Sequence, residues 1–320
     1  MTKVLVTGGA GFIGSHVVEI LIAKGYQVSV LDNLTTGTVG NLSDNLPSGK
    51  LRIVRGDIRD AVAVRQALVD ADAVIHLAAL IDTGYSVEKP AIVNHVNVGG
   101  TVTLLKESVD LKVRRFIFAS STAVYGDSDR LPLQEESEKK PISPYAVSKL
   151  AGEEYCKMYS RTFGLETVSL RFFNVYGLRQ VNNGYAGVIT KFIERVSHGQ
   201  PPLIYGDGEQ TRDFVHVTDV ARACVLALEK GGLSQCSINV GTGKPTRITD
   251  LASLIINIFS ASGLEPQYTP PKVGDIKENF ADLTNASHML GFAPRVSLRE
   301  GLEELAENYI SHLKSKATQQ

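Results

Sequence analysis

Cysteine is scarce in this chain of 320 residues: there are three, Cys156, Cys224 and Cys236. Odd in number and widely separated, they build neither a disulfide framework nor a metal-ligand spacing, and they fit a reducing compartment. Charge of one sign is not in excess, with 33 Lys and Arg against 34 Asp and Glu. That removes the electrostatic footprint that nucleic acid or an anionic membrane would need. No apolar run reaches membrane-spanning length, and the amino terminus opens on the strand-like Lys3-Val4-Leu5-Val6-Thr7 instead of a signal peptide. Repeats and low-complexity tracts are also missing. The expectation is a soluble, cytoplasmic protein, with a hydrophobic content of 43% that is ordinary for a large core.

What is present is an alternation. Val4 to Val6 reads as a strand running into Thr7-Gly8-Gly9-Ala10-Gly11-Phe12-Ile13-Gly14, and Val17, Ile20 and Leu21 continue as a helix that stops at Gly25. Val28-Ser29-Val30-Leu31 is a second strand, ending at Asp32. Glycines let the backbone turn tightly and approach a pyrophosphate at a helix N-terminus, where free N–H groups point outward. The spacing of Gly8, Gly11 and Gly14 departs by one residue from G-x-G-x-x-G, and glycines also mark ordinary turns. Strand, glycines, helix, strand and terminal acid in that order make a dinucleotide site. Asp32 would accept hydrogen bonds from the adenosine ribose and repel a 2′-phosphate, and Asn33-Leu34-Thr35 offers no arginine to welcome one. NAD is therefore expected over NADP. The plainer alternative is that Asp32 only opens a turn with Asn33.

The rhythm continues through strands at 51–54 and 73–79, a helix at 61–69, a long helix from Pro90 to about Leu111, and strands at 116–120 and 166–170. Small residues after His76 would let a cofactor lie against the backbone, while His76 itself reads as a core histidine. This pattern predicts an α/β fold, a doubly wound parallel sheet of the Rossmann kind over residues 1–177, with ligands at its carboxyl edge. After Gly177 the rhythm breaks. A polar, turn-rich stretch from Leu178 to Gly187 precedes a helix at 188–196, an expected hairpin around Asp207-Gly208, and a helix opening at Val217. A strand at 237–241 is expected to return to the main sheet. From Thr249 come two helical segments split by Pro266 to Pro271, then a polar, frayed tail from Lys314. Residues 178–236 and 242–314 should form a smaller α/β substrate lobe.

Ser143 and Pro144 look like an N-cap and a first helical residue. Tyr145 and Lys149 are then i and i+4 on one helix face. An ammonium beside a phenol favours the phenolate and should lower the tyrosine pKa towards working pH. A hydroxyl from the preceding strand end, Ser120-Ser121-Thr122, could hold a substrate oxygen against it. Alone, Tyr-x-x-x-Lys is more often an inconsequential surface pair.

Thr7 to His16, Asp32-Asn33-Leu34, Gly56-Asp57-Ile58, His76-Leu77-Ala78-Ala79, Asn97-Val98-Gly99-Gly100-Thr101, Ser120-Ser121 with Val124-Tyr125-Gly126, Tyr145 with Lys149, and Arg171-Phe172-Phe173-Asn174-Val175-Tyr176-Gly177 together resemble the extended short-chain dehydrogenases, and within them the UDP-sugar 4-epimerases. The resemblance runs on through Thr211-Arg212-Asp213 and Gly274-Asp275. It implies NAD-dependent 4-epimerisation of a UDP-hexose, UDP-glucose or UDP-galactose, through a transient 4-keto sugar. By that resemblance Ser121, Tyr145 and Lys149 are catalytic, Tyr145 as base and acid. Gly8, Gly11, Phe12, Ile13 and Gly14 hold the pyrophosphate, and Asp32, Asn33, Thr36 and Gly37 the adenosine ribose. Asp57 and Ile58 flank the adenine; Leu77, Ala78, Ala79, Asn97 and Phe173 surround the cofactor, with Tyr145 and Lys149 at its nicotinamide end. Asn174, Val188, Tyr205, Arg212, Lys272 and Asp275 contact the nucleotide sugar. A homodimer through the helices of Asn97 and Tyr145 is implied as well.

Departures sharpen the reading. Dehydratases and UDP-glucuronate decarboxylases of this superfamily carry an acid two residues before the tyrosine matched by Tyr125; here that position is Ala123, after Thr122. Lys272 replaces an arginine common in the epimerases, and a lysine meets a diphosphate as a point charge instead of a fork. Asn279 stands where a bulky tyrosine excludes N-acetylated sugars in some epimerases. Two other readings stay open: an oxidoreductase with net cofactor turnover, and a non-catalytic nucleotide sensor.

Overall fold

A computed structural model describes residues 2–180, 187–271 and 276–318, with side chains as far as residue 311. The first half contains the expected strands and helices, with additions: β1 (Lys3–Thr7), α1 (Phe12–Ala23), β2 (Gln27–Asp32), β3 (Leu51–Arg55), α2 (Ala61–Leu68), β4 (Ala73–His76), α3 (Thr83–Glu88), α4 (Pro90–Asn94), α5 (Gly100–Asp110), β5 (Arg115–Ser121), α6 (Pro144–Phe163) and β6 (Glu166–Phe172). Then follow β7 (Asn174–Tyr176), α7 (Val188–Ser197), β8 (Leu203–Tyr205), β9 (Thr211–His216), α8 (Val217–Glu229), β10 (Cys236–Val240), β11 (Pro245–Arg247), α9 (Ile248–Ile258), β12 (Gln267–Thr269) and α10 (Leu298–Thr318).

Among the described residues a seven-stranded parallel sheet runs β10-β6-β5-β4-β1-β2-β3, so the return strand near 237–241 does join it, beside β6. The side-chain period of two sends Val4, Val6, Ile75, Ile117 and Ile238 to the face covered by α1 and α8. It sends Leu5, Val74, Phe116 and Phe118 to the face covered by α2, α5 and α6. Burial on both faces is why these strands read as continuous apolar runs. From β1 the order goes one way through β2 and β3 and the other way through β4, β5 and β6. That reversal opens a crevice outside the carboxyl ends of β1 and β4. Past β6, a third apolar cluster joins α7, α9 and α10 through Phe192, Leu251, Ile255 and Leu302.

Several expectations fail in instructive ways. No hairpin forms at Asp207-Gly208: β8 pairs in parallel with β12, while β9 pairs with β7 and β11. The Asp207 side chain does close a local turn, accepting from the Glu209 amide at 3.0 Å. Partners from further along the chain nevertheless take the strands apart. The Pro-rich stretch thus contains β12 where a break between helices was expected. The long helix from Pro90 is interrupted by a π-helical turn at His95–Gly99 and preceded by the unforeseen α3. Helix α10 runs through the supposedly frayed tail to Thr318. Of the turn-rich stretch after Gly177, residues 181–186 lie outside the described residues. No helix among the described residues is long and apolar enough to cross a membrane.

Candidate active site

The glycine loop lies at the crevice because β1 delivers it there. Gly8 sits at φ +67°, and a Cβ on it would stand 2.9 Å from the Ala78 nitrogen. Leu77 and Ala78 therefore pass directly against the loop, with Ala79 next in the chain. A Cβ on Gly14 would meet the Gly8 carbonyl oxygen at 2.1 Å, and one on Gly37 would come within 2.8 Å of Ala10. No acidic side chain occupies the first turn of α1, and Gly11 supplies no side-chain cap, so the amides of Phe12, Ile13 and Gly14 form a positive helix end open to an anion. Asp32 is buried, accepting from Ala10 N at 3.0 Å and Leu34 N at 2.8 Å, and each carboxylate oxygen keeps a lone pair for a ribose hydroxyl. Thr36 is exposed on the connection beyond it. Hydrogen bonds from Arg59 hold the Asp57 carboxyl down at about 2, and Asn33 joins them from 3.3 Å. Ile58 packs against Gly100 of α5. A narrow backbone cradle, a helix N-terminus and a buried acid are the donor set a dinucleotide needs, so the residues present fit NAD.

On the β4–β5 side, Ser143 caps α6 through Ala146 N at 3.2 Å and Pro144 takes the first helical position. Lys149 is buried; its Nζ donates to the Ala119 carbonyl at 2.8 Å and stands 5.9 Å from the centre of the Tyr145 ring. Gly152 permits this: a Cβ there would lie 2.4 Å from the Phe118 ring, so only glycine lets α6 settle onto β5. Ser121 ends β5 and accepts from Ala123 N at 3.2 Å. Burial raises the Tyr145 pKa, and a hydrogen bond with Ser121 acts against that rise. Burial also brings Lys149 down to about 8. The expected lowering of Tyr145 by Lys149 is thus not seen, because desolvation dominates and the ammonium is directed at a carbonyl.

His76 is the core histidine foreseen, bonded to Thr7 and Thr101 hydroxyls at 2.7 and 2.9 Å and held near 3 by burial. Asn97, in the π turn, is buried, against the usual exposure of a mid-helix asparagine. It bonds both backbone groups of Leu80, at 2.8 and 2.9 Å, and the Ser148 hydroxyl at 3.0 Å. Phe173 is packed with Val124, Tyr125, Leu133 and Ala281, underneath the Ser121 turn.

In the second sheet, Asn174 and Arg212 lie on the neighbouring strands β7 and β9, Asn174 donating to Asp213 O at 3.3 Å and Arg212 to Thr211 O at 2.7 Å. Val188 opens α7, half-buried, and Tyr205 ends β8, 40% exposed. Lys272 and Asp275 lie outside the described residues. Asn279 is buried and exchanges hydrogen bonds with Thr122 at 3.0 and 3.2 Å, one residue from Ser121. Asp213 had no role in the sequence reading beyond following Arg212. Fully buried, it accepts from Thr242 N, Gly243 N and Ala281 N at 2.7, 2.9 and 3.1 Å, tying β9 to the turn after β10 and to the Asn279 segment. An acid inside the apolar strand β9 was its one visible signal.

A model of the NAD dependent epimerase/dehydratase family matches residues 4–241. The UDP-glucose 4-epimerase of Mycolicibacterium smegmatis is 39% identical over 307 residues, covering 95% of this chain and 97% of the relative. A solved structure of UDP-glucose 4-epimerase from Thermotoga maritima with UDP-glucose aligns at a TM-score of 0.92 and 40% identity, over 98% of this chain and 100% of that one. The UDP-N-acetylglucosamine 4-epimerase of Methanobrevibacter ruminantium, in complex with UDP-N-acetylmuramic acid, aligns at 0.92 and 39% identity, over 97% and 99%. Other matched relatives carry dehydratase and decarboxylase names. With a dinucleotide cradle at the sheet reversal and matches of this breadth, the chain belongs to the NAD dependent epimerase/dehydratase family of enzymes.

Proposed function

We propose that the protein is a UDP-hexose 4-epimerase using NAD. The observation that carries this reading is the Ser121, Tyr145 and Lys149 cluster, with Tyr145 and Lys149 on α6 and Ser121 at the end of β5, where the chain continues as Thr122-Ala123. Eliminating water from a hexose calls for a carboxyl to move a further proton, and neither residue has one. Oxidation at C4 followed by return needs only one proton shuttle.

NAD, when bound, supplies the acceptor and donor of hydride at C4. Gly8, Gly11, Phe12, Ile13 and Gly14 would hold its pyrophosphate, Asp32, Asn33, Thr36 and Gly37 its adenosine ribose, and Asp57 with Ile58 its adenine. Leu77 to Ala79, Asn97 and Lys149 would carry the nicotinamide half. Tyr145, as phenolate, takes the proton of the 4-hydroxyl on Oη while Ser121 Oγ holds the same oxygen. The phenol returns that proton after the 4-keto sugar has turned its other face. At about 8, Lys149 keeps its own proton at neutral pH and offsets the charge of the Tyr145 phenolate before it takes that proton and after it returns it. Asn174, Arg212, Val188 and Tyr205 anchor the nucleotide, with Lys272 and Asp275 as the remaining contacts, so that the hexose alone is free to turn.

The small, inward-bonded Asn279 supports admitting N-acetylhexosamines besides glucose and galactose. Ile92 of α4 and Val147 of α6 are 44% and 51% exposed on neighbouring helices, which supports a homodimer across that face. Three unpaired cysteines support a cytoplasmic setting. The test is incubation of the full chain with UDP-glucose, UDP-galactose, UDP-N-acetylglucosamine and UDP-glucuronate. Appearance of a 4-epimer with no net NADH is expected. Stoichiometric NADH would replace epimerisation by net oxidation, and no conversion of any donor would refute the assignment.

A further inference from the structure

Strand β6 carries a guanidinium into the interior, where Arg171 is 1% exposed. A buried charge is strongly unfavourable unless it is paired and its donors are used. The Arg171 fork closes on Glu153 of α6, Nε to Oε1 at 2.9 Å and Nη2 to Oε2 at 2.7 Å. Nη1 donates to the Tyr125 hydroxyl at 2.8 Å and to the Glu135 carbonyl at 2.9 Å, and the guanidinium lies 4.9 Å from the Tyr125 ring centre. Tyr125 in turn donates to Asn239 Oδ1 of β10 at 2.7 Å. On the other side of the pair, Ser120 Oγ donates to Glu153 Oε1.

The places where these bonds land matter more than their number. Ser120 is the residue before Ser121, and Tyr125 closes the 3₁₀ turn Thr122–Tyr125 that follows it. One ion pair thus grips both ends of the segment that presents the Ser121 hydroxyl, without touching Ser121 itself. The exit of the segment is fixed too, since a Cβ on Gly126 would fall 1.9 Å from the Lys140 carbonyl oxygen.

We propose that the Glu153–Arg171 pair, acting through Ser120 and Tyr125, is a positioning device that aims Ser121 at the Tyr145 hydroxyl. This rests on the reading of Ser121 and Tyr145 as catalytic. An apolar pair of similar volume would stabilise the core as well or better. It would not give directed hydrogen bonds to both ends of a turn, and a displacement of about 1 Å at a reacting group costs on the order of a hundredfold in rate. Burial holds Tyr125 up at about 12, so its hydroxyl stays a neutral donor throughout the working range.

Deleting Arg171 or Glu153 would strand a buried charge and endanger the fold. Tyr125→Phe and Ser120→Ala instead remove one hydroxyl each and keep the ion pair. Each is made alone and with Ser121→Ala in the full chain. Two quantities are read: kcat and KM for epimerisation, and the ¹³Cζ resonance of Tyr145, identified by its loss in Tyr145→Phe. Each single variant is expected to lower kcat roughly tenfold with KM altered less than about twofold. Each should move the Tyr145 resonance towards its position in Ser121→Ala, and neither should add further loss or shift once Ser121 is alanine. Wild-type kcat with an unmoved resonance, or effects that multiply with Ser121→Ala, would overturn the proposal. Should the wild type convert no nucleotide sugar, the catalytic reading falls, and the resonance comparison alone still decides whether the pair controls Ser121.

Discussion

Lys149 donates to the carbonyl of Ala119 at 2.8 Å, from one helical turn beyond Tyr145. Strand β5 and helix α6 are thereby joined at the point where the reactive side chains emerge. The bond also gives the lysine a partner that costs it none of its charge, so the cation is already in position before any proton leaves the phenol.

Tyr145→Phe removes the only proposed acid–base group and little volume. Its kcat should fall by about 10²–10⁴, the usual worth of such a group. The cradle lies elsewhere, so NAD content after gel filtration should match the wild type. Near-normal turnover would reassign the base.

The lowered pKa of Lys149 is also a statement about stability. Its folded value is about 8 against 10.5 for the free side chain. Between those values the unfolded chain binds more protons, so stability contributed at this site rises with pH from about 8 to 10, by at most about 1.4 kcal/mol per unit. Lys149→Met should lose that slope. Urea midpoints of the two proteins at pH 7.5 to 10, roughly the window set by those values, are the measurement; parallel curves would show that the lysine is not desolvated.

Asn97→Ala would leave both backbone groups of Leu80 without their partner. A destabilisation of roughly 2–3 kcal/mol is expected from the unsatisfied groups. Since Leu80 follows the segment proposed to line the cofactor, NAD should also dissociate faster. Denaturation and cofactor-release rates check the two effects separately.

Asn279→Tyr exchanges a small residue bonded to Thr122 for a bulky ring. It should lower kcat/KM for UDP-N-acetylglucosamine by on the order of tenfold or more, relative to UDP-glucose. Equal losses for both donors would mean that Asn279 only supports Thr122.

What was legible in the sequence was local. β1, the glycines and Asp32 could be read because turn chemistry and strand period act over a few residues, and Ser143-Pro144 announced α6 for the same reason. The hairpin at Asp207-Gly208 failed because β8 finds its partner in β12, far along the chain, and no nearby residue reveals that preference. The burial of Asn97 was not legible because its partners, the backbone groups of Leu80, lie 17 residues away along the chain and meet it only in the fold. The proton affinity of Tyr145 was misjudged since spacing shows the neighbouring cation but not the burial that outweighs it. Arg171 was visible as part of a motif, yet its grip on both ends of the Ser121 turn needed the fold.

Strand β10 joins β6 after some sixty intervening residues and is the edge of the sheet among the described residues, and α8 packs on α1 from the same late portion of the chain. During synthesis residues 1–177 therefore emerge with an open β6 edge and a bare apolar helix face. Those surfaces are sites for wrong pairing until residue 240 has left the ribosome. A fragment ending at Gly177 would therefore lack both β10 and α8, the elements that cover that edge and that face.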